Sequence, residues 1–305
     1  YSWKRHSSSL RLSNHWACLL VLQQEGEAGM KKFLRKYWID FVAIPVGLFV
    51  FVAPFILIFV TASKNSKESF QFNFSLGEKF LLWDNIKTVL ATDDGVVIRA
   101  FINSSVLTIF SVILIVFVSS MAAFVFARRP GKLTNVANIM VLAGLVVPPA
   151  VVPTIWVLQR LHLFKTMQGL ILIEVAYSAA FAILIYRGFI ASIPREIDEA
   201  AAMDGCTGFS LYRRIIFPLL MPVNVTIIVT TSVAIFNDFT NPLYFLPGND
   251  NATVQLTLFY FQSAYLTQYN LLFTDILLIT IPPLIVFIIF NKKIVSGLTA
   301  GSVKG

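Results

Sequence analysis

Six apolar runs of 20 to 26 residues divide this chain of 305 residues. A helix needs about 20 apolar residues to cross the ~30 Å hydrocarbon core of a bilayer, so each run is long enough to span a membrane. The predicted spans are Phe41–Ala62, Ile102–Ala127, Thr134–Leu158, Gln168–Ile190, Ile215–Phe236 and Leu271–Phe290. We therefore expect an all-α, polytopic membrane protein with six transmembrane helices.

Composition excludes the other broad classes of protein. Charged residues make up 13% of the chain and hydrophobic residues 57%, whereas an ordinary soluble domain carries about 25% charged residues. So few charges cannot cover a water-facing surface, and 28 Phe residues exclude a disordered chain. The three His and two Cys residues show no metal-ligand or disulfide spacing. Neither a metal site nor a disulfide framework is therefore expected.

Lys and Arg residues are divided unevenly between the two sides of the predicted membrane domain. Counted from Met30, the segments on one side hold 14 of them and the segments on the other side hold seven. Cytoplasmic segments carry the excess of basic residues in membrane proteins. Six spans place both natural termini on the same side, so both are predicted to be cytoplasmic.

Residues 1–29 fit none of these spans. Their apolar run, Trp16–Leu22, is too short to cross a bilayer, and no small-residue cleavage site of a signal peptide follows it. The sequence Met30-Lys31-Lys32 is typical of a natural start. We therefore interpret residues 1–29 as an upstream or non-native extension, and residues 30–305 as one transmembrane domain.

Prolines interrupt two of the predicted spans. Pro148, Pro149 and Pro153 lie in the third span, and Pro282 and Pro283 lie in the sixth. Each proline removes a backbone donor and kinks or breaks its helix. In lipid, the carbonyls freed in this way need a partner from protein or from a water-filled cavity. Two interpretations stay open: simple bending of a packed helix, and a helix that lines a pathway.

The loop between the fourth and fifth spans, residues 192–214, holds the most specific pattern. Pro194 suits the start of a helix, and the acidic residues that follow it are favoured there by the helix dipole. Asp204-Gly205 breaks this helix, and Thr207 can cap a second helix that continues directly into the fifth span. We predict a short helix, a sharp bend and a second helix on the cytoplasmic surface. The alternative is a helix that lies in the lipid interface.

Several motifs resemble those of one transporter family. The pattern Glu199-Ala200-Ala201-x-x-x-Gly205, followed after nine residues by Ile215-x-Phe217-Pro218, resembles the EAA motif of ABC importer permeases, with Phe217 in place of Leu. The stretch Phe236-Asn237-Asp238-Phe239 is similar to Trp-Asn-Asp-Phe in sugar permeases. Ala127-Arg128 and the tail Gly297–Gly305 are similar to the maltose-type second permease. The resemblance extends from about Met30 to Gly305.

The resemblance implies a type I ABC importer permease fold. The chain would be the permease subunit of an ATP-driven, binding-protein-dependent importer of a sugar or small oligosaccharide, in the cytoplasmic membrane of a bacterium or archaeon. Its partners would be a second homologous permease, two copies of a cytoplasmic ATP-binding subunit and an extracytoplasmic sugar-binding protein. ATP and Mg²⁺ would bind to the ATP-binding subunit. This chain, which has no GxxxxGK[ST] phosphate loop, would be no enzyme and would hold no cofactor, metal or nucleic acid.

The resemblance also implies roles for particular residues. The loop would dock on the ATP-binding subunit, with Glu199 placed to pair with a basic group there. The coupling residues are Glu199, Ala200, Ala201, Asp204, Gly205, Ile215 and Pro218. The C-terminal tail, residues 291–305, would reach the interface between the two ATP-binding subunits as a flexible segment. Its contacting residues are Gly297, Gly301, Lys304 and Gly305.

Four polar residues are candidates for the translocation path: Glu174, Tyr177, Asn237 and Asp238. A carboxylate inside a span is costly and is by default a functional candidate. Glu174 could line the cavity with Tyr177 and accept a sugar hydroxyl, or could form an interhelical hydrogen bond to the partner permease. Asn237 and Asp238 could cap the fifth span or contact the binding protein. Asp275 is expected at the membrane interface, and in the maltose-type system the membrane sugar site belongs chiefly to the other permease.

Two other functions stay open. A self-contained secondary carrier or channel for a small polar solute would usually show inverted internal repeats, and no clear repeat relates the first three spans to the last three. An intramembrane enzyme would need a catalytic group at membrane depth, for which Glu174 and Asp275 are the acidic candidates.

Overall fold

The computed structural model describes residues 43–248, 251–264 and 268–300. Within these residues the regular structure is helical and contains no β-strand, which confirms the all-α prediction. The leader, residues 1–29, and the tail residues Gly301, Lys304 and Gly305 lie outside the described part of the chain. The chain divides into two units, Tyr1–Leu57 and Ile58–Gly305.

The first half of the described chain runs to the end of the fourth predicted span. A 3₁₀ turn, Thr92–Asp94, separates its third and fourth helices. The helices are α1 (Ala43–Ala62), α2 (Ser66–Ser69), α3 (Leu82–Ala91), α4 (Val96–Arg128), α5 (Lys132–Ala143), α6 (Val151–Arg160) and α7 (Met167–Ser192).

The second half contains the predicted coupling loop and the last two predicted spans. Its helices are α8 (Arg195–Met203), α9 (Phe209–Leu219), α10 (Met221–Phe236), α11 (Thr240–Phe245), α12 (Val254–Ala264) and α13 (Tyr269–Ala300). Because α13 continues to Ala300, Gly297 lies within a helix, and the prediction of a flexible glycine segment is wrong at that position.

Four helices of the described chain are long and apolar enough to cross a membrane. They are Ala43–Ala62, Val96–Arg128, Met167–Ser192 and the Tyr269–Phe290 part of α13. The bent pair of α9 and α10 makes a fifth when it is counted as one span. The structure therefore shows four or five such spans in its described residues, where the sequence predicts six.

The third predicted span, Thr134–Leu158, is two short helices. The first, α5, ends at Ala143, and α6 begins at Val151. Pro148 and Pro149 lie between them, and a proline both lacks a backbone donor and disfavours the helical conformation of the residue before it. Neither half is long enough to cross a membrane alone.

The fifth predicted span, Ile215–Phe236, bends by 75° between α9 and α10. Pro222 lies in the first turn of α10 and has no N–H to bond the carbonyl four residues earlier, so the helical ladder stops there. The residue at the break, Leu220, has φ of −77° and ψ of 0°. The second loop helix therefore continues into the first residues of the predicted span, through Leu219, but the span itself then bends sharply, which the sequence does not predict.

The main core lies between α4, α7, α9 and α10. Ile115 of α4, Tyr186 and Ile190 of α7 and Ile216 of α9 are fully buried in one hydrophobic cluster. The buried face of α4 also carries small hydroxyl residues, including Ser111, and small residues let membrane helices approach closely. The predicted coupling loop is thus attached directly to the central helices.

The start of α12 is fastened to α4. The Ser104 hydroxyl accepts a hydrogen bond from the Val254 N–H at 3.0 Å, and the Asn103 amide donates to the Ala252 carbonyl at 3.1 Å. Nearby, Phe261 of α12 shares a hydrophobic cluster with residues of α4 and α13. These contacts fix α12 beside α4 and α13.

Candidate functional site

The segment between α7 and α10 forms a short helix, a bend and a second helix. Helix α8 starts after Pro194 and carries Glu196 and Asp198 in its first turn. Asp204 ends it, and Gly205 follows with φ of 79°, a left-handed conformation that glycine adopts without steric cost. Thr207 does not cap the second helix, since the N-cap of α9 is Gly208.

The acidic and alanine residues of α8 divide between two faces. Ala201 is buried against the body of the protein, whereas Glu199, Ala200, Asp204 and Gly205 are exposed. Met203, at the end of α8, has 89% of its surface exposed. The loop therefore presents the carboxylates of Glu199 and Asp204, a small-residue surface and one apolar side chain outward, a combination that another protein can approach closely.

Arg128, the last residue of α4, holds α8 in place. Its Nε atom lies 2.7 Å from Oδ2 of Asp198, and the two side chains are 9% and 17% exposed. Its Nη2 atom also donates to the carbonyl of Ile193, between α7 and α8, at 2.9 Å. One guanidinium thus joins the ends of three helices. Arg128 belongs to a motif that resembles the family, but nothing in the sequence indicates that it pairs with Asp198.

Tyr212 fastens the second loop helix to α4. Its hydroxyl lies 2.7 Å from Oγ of Ser120. Its ring packs against Phe124 of α4 and Phe217 of α9, each with ring centroids 5.7 Å apart. Because Tyr212 is buried, α9 and α4 are expected to move together rather than slide past each other.

A wide helical turn of the π type, Tyr212–Ile216, lies inside α9. Ile215 is half-buried in this turn and Pro218 is exposed just after it, so neither predicted coupling residue forms the main contact with the core. That contact comes from Ile216, which is fully buried. Turns of this type inside α-helices are frequent at functional sites.

Glu174 lies in a polar cluster where α7 meets the segment after α10. Its side chain is buried, and its Oε1 atom accepts a hydrogen bond from Nδ2 of Asn241 at 3.1 Å. Asp238 caps α11, because its Oδ1 atom accepts from the N–H of Thr240 at 2.8 Å. The hydrogen bond of Glu174 is therefore made within this chain, and Asp238 caps the helix after the predicted fifth span.

The other two path candidates lie apart from that cluster. Tyr177 is half-buried and packs against the main hydrophobic core. Asn237 is exposed; its Nδ2 atom donates to the Val233 carbonyl at 2.9 Å, and its Oδ1 atom accepts from Nε2 of Gln255 at 3.1 Å. The structure thus joins Glu174 with Asn241 and separately joins Asn237 with Gln255.

A cavity of about 310 Å³ lies between α10, α12 and α13. Asn237 and Gln255 line it together with Thr280, Ile279 and Pro283. Gln255 and Thr280 belong to none of the motifs described above. Only the proline pair in the sixth predicted span indicated that a cavity could lie here.

Asp275, which is expected at the membrane interface, is completely buried within the protein. Its Oδ2 atom accepts a hydrogen bond from the Thr257 hydroxyl at 2.8 Å, so it joins α12 to α13. In the described part of the chain, no three His, Cys, Asp or Glu side chains gather in a way that could hold a metal ion. Glu174 and Asp275 have separate hydrogen-bond partners.

The chain matches a known family and several of its members. The family model for binding-protein-dependent transport system inner membrane components matches residues 115–299. The chain is 31% identical over 276 residues to the probable starch degradation products transport system permease protein of Thermoanaerobacterium thermosulfurigenes, over 90% of this chain and 99% of that one. It is 31% identical over 275 residues to the multiple sugar-binding transport system permease protein of Streptococcus mutans, over 88% and 98%.

A solved structure shares the fold. A chain of a bacterial ABC transporter involved in the import of the acidic polysaccharide alginate superposes with a TM-score of 0.71 at 20% sequence identity, over 85% of this chain and 96% of that one. The sequence relationship covers nearly the whole of both proteins, and the helices are apolar enough to cross a membrane. The chain therefore belongs to the family of binding-protein-dependent transport system inner membrane components, multi-pass proteins of the cell membrane.

Proposed function

We propose that this chain is a permease subunit of an ATP-driven importer of a sugar or small oligosaccharide, and that it couples to a cytoplasmic ATP-binding subunit through α8. Relatives named for starch degradation products, multiple sugars and arabinooligosaccharides support the substrate class. The observation that carries the coupling role is the placement of α8. Glu199 and Ala200 of this helix are exposed. Its Asp198 lies on the opposite, largely buried side and pairs with Arg128 of α4.

The exposed face of α8 suits a protein partner better than lipid. Ala200 and Gly205 leave room for a partner's backbone to come close, and Glu199 offers a charge for a basic group on the partner. Charge pairs at such interfaces fix the position and orientation of the two proteins relative to each other. A helix anchored in lipid would instead show large apolar residues with Lys or Arg beside them.

A displacement of α8 has two routes into the membrane domain. One passes through Asp198 and Arg128 to α4. The other passes around Gly205 into α9, where Tyr212 packs on α4 and the 75° bend leads to α10. Movement of the ATP-binding subunit would therefore shift α4 and α9 together, and the bend at Leu220 would change its direction into α10.

We further propose the six-span topology with both natural termini in the cytoplasm. The third span would be α5 and α6 together, broken at Pro148-Pro149, and the fifth would be α9 with α10. The positive-inside distribution of basic residues supports this orientation. Breaks of this kind are tolerated in a membrane where another part of the protein or a cavity satisfies the backbone.

The proposed assembly contains a second homologous permease, two copies of the ATP-binding subunit and an extracytoplasmic sugar-binding protein. A related alginate transporter was solved in complex with a periplasmic protein that carries an alginate pentasaccharide, which supports the last of these partners. ATP and Mg²⁺ would be bound by the ATP-binding subunit. The C-terminal residues Gly297, Gly301, Lys304 and Gly305 are proposed to contact that subunit.

Reconstitution tests the transport class. The complete complex is placed in liposomes with the binding protein, and uptake of raffinose, starch-derived oligosaccharides and arabinooligosaccharides is measured with and without ATP. We expect uptake of at least one of these sugars, dependent on ATP and on the binding protein. The alternative of a secondary carrier or channel predicts that the purified chain alone supports uptake without ATP.

A further inference from the structure

We propose that the cavity between α10, α12 and α13 is a carbohydrate subsite carried by this subunit. This inference rests on the proposed function and adds a binding site to it. The cavity measures about 310 Å³, within the range of about 300–1,000 Å³ that is usual for small-molecule pockets. Its lining combines Asn237, Gln255 and Thr280 with apolar Leu258, Ile279 and Pro283.

The two amides at the cavity can bond sugar hydroxyls in both directions. Gln255 donates one N–H to Asn237, which donates one N–H to a backbone carbonyl. Each amide nitrogen carries a second N–H, and each amide oxygen has two lone pairs. A sugar hydroxyl both donates and accepts, so an amide pair held at 3.1 Å is a suitable partner. The apolar lining can meet the C–H face of a sugar ring.

Backbone acceptors lie at the same place. Pro282 and Pro283 are inside α13 and cannot donate to the carbonyls of Leu278 and Ile279, four residues earlier. Ile279 and Pro283 both line the cavity. Carbonyls left without a helical donor at membrane depth are tolerated where they face protein or a water-filled cavity, and such a cavity can also admit the hydroxyls of a substrate.

A second, smaller cavity of about 60 Å³ is also lined by Pro283. Thr108 and Ser232 line it with Phe236 and Pro282. The Thr108 hydroxyl is buried and has no hydrogen-bond partner within the described chain, which is costly unless water or a ligand bonds it. The surface that this smaller cavity exposes is apolar, so the polar groups that a sugar could bond lie on the side of the larger cavity.

The side-chain test uses Thr280. Its hydroxyl donates to the Ile276 carbonyl of its own helix at 2.7 Å, so Thr280→Val removes a cavity acceptor without removing a contact between helices. In the reconstituted complex we expect Thr280→Val to raise the KM for sugar uptake about 2- to 10-fold, the loss of one hydrogen bond. Thr280→Ser keeps the hydroxyl and should retain the wild-type KM.

Cysteine labelling gives a direct readout of occupancy. Thr280→Cys and the neighbouring Ile281→Cys are made in a chain whose Cys18 and Cys206 are replaced by Ser. Ile281 is 44% exposed and does not line the cavity. During turnover, the sugar that the wild-type complex takes up should slow modification of Thr280→Cys by a small thiol reagent, and should leave Ile281→Cys unaffected.

The outcomes separate this inference from the proposed function. If the wild-type complex takes up none of the test sugars, the sugar-import function fails and the subsite fails with it. If uptake is normal but Thr280→Val has a wild-type KM and the sugar does not protect Thr280→Cys, the importer stands and the subsite is overturned. Protection of Thr280→Cys with a raised KM for Thr280→Val supports the subsite.

Discussion

The guanidinium of Arg128, at the end of α4, lies 2.7 Å from the carboxylate of Asp198 on the short helix α8. The two residues are 70 positions apart in sequence, yet both side chains are largely buried in the contact. Removing one member of a buried ion pair leaves the other charge without compensation. This pair therefore holds the exposed Glu199–Ala200 surface in a fixed position relative to the membrane domain.

Asp198→Asn should weaken coupling between ATP hydrolysis and transport. The substitution leaves Arg128 without its charge partner and loosens α8, so sugar uptake per ATP hydrolysed should fall several-fold. We expect a loss of stability of about 1–3 kcal/mol, between the values for exposed and buried pairs. Uptake and ATP hydrolysis are measured together in liposomes that contain the complete complex.

Glu196→Gln is the matched control for Asp198→Asn. Glu196 also lies in the first turn of α8 and also carries a carboxylate, but it is exposed. Its substitution should leave the ratio of uptake to hydrolysis close to the wild-type value. Equal ratios for the two variants would mean that the Arg128–Asp198 contact has no part in coupling.

Gly205→Val should uncouple more strongly than Gly205→Asn. The left-handed φ of 79° costs a β-branched residue roughly 1–2 kcal/mol, whereas Asn tolerates it better. A Cβ atom at Gly205 meets no other atom within 4 Å. A difference in coupling between the two variants would therefore come from the backbone conformation at the bend and not from a steric clash. Gly188→Ala, near the C-terminal end of α7 and also free of close neighbours, should couple normally. A fully coupled Gly205→Val complex would show that the bend is dispensable.

Tyr212→Ala should lower the stability of the complex more than Tyr212→Phe does. The Phe variant loses only the hydroxyl bonded to Ser120, at a cost of about 1 kcal/mol. The Ala variant also loses the packing on Phe124 and Phe217, at a cost of about 3–5 kcal/mol. Thermal unfolding of the purified complex measures both. Similar melting temperatures for the two variants would contradict the role of the ring in joining α9 to α4.

Glu174→Gln should leave the KM for sugar uptake unchanged, because a Gln oxygen can still accept the hydrogen bond from Asn241. Glu174→Ala removes that bond and leaves the half-buried amide of Asn241 without it, so it should lower the melting temperature of the complex. Uptake kinetics and thermal unfolding are compared for the two variants. A KM raised in the Gln variant, at wild-type stability, would instead place Glu174 on the sugar path.

The sequence predicts the long helices well and the broken ones poorly. The apolar runs that became α1, α4, α7 and α13 needed only length and composition to identify. Pro148 and Pro149 marked a possible break in the third predicted span, but no break was predicted in the fifth, which bends by 75° at Leu220. That angle depends on how Ile216 and Leu220 are buried against neighbouring helices, which local sequence does not specify.

In the candidate site, too, local features could be predicted from the sequence, whereas contacts between distant residues could not. Proline, acidic residues and Asp204-Gly205 were enough to predict the short helix and its bend. The partner of Asp198 could not be inferred, because any of several Arg residues in the predicted cytoplasmic loops had the right charge. Gln255 and Thr280 were also missed, since they become neighbours of Asn237 only when α12 and α13 pack beside α10.

Photo-crosslinking from α8 tests the central claim most directly. Met203, which is 89% exposed, is replaced by p-benzoyl-phenylalanine in the complete complex, and Trp83 of α3, which is 69% exposed, is replaced in the same way as the control. Illumination should join the chain to the ATP-binding subunit from position 203 and not from position 83. Failure of position 203 to crosslink that subunit in an intact complex, or crosslinking to it from position 83, would contradict the assignment of α8 as the coupling helix.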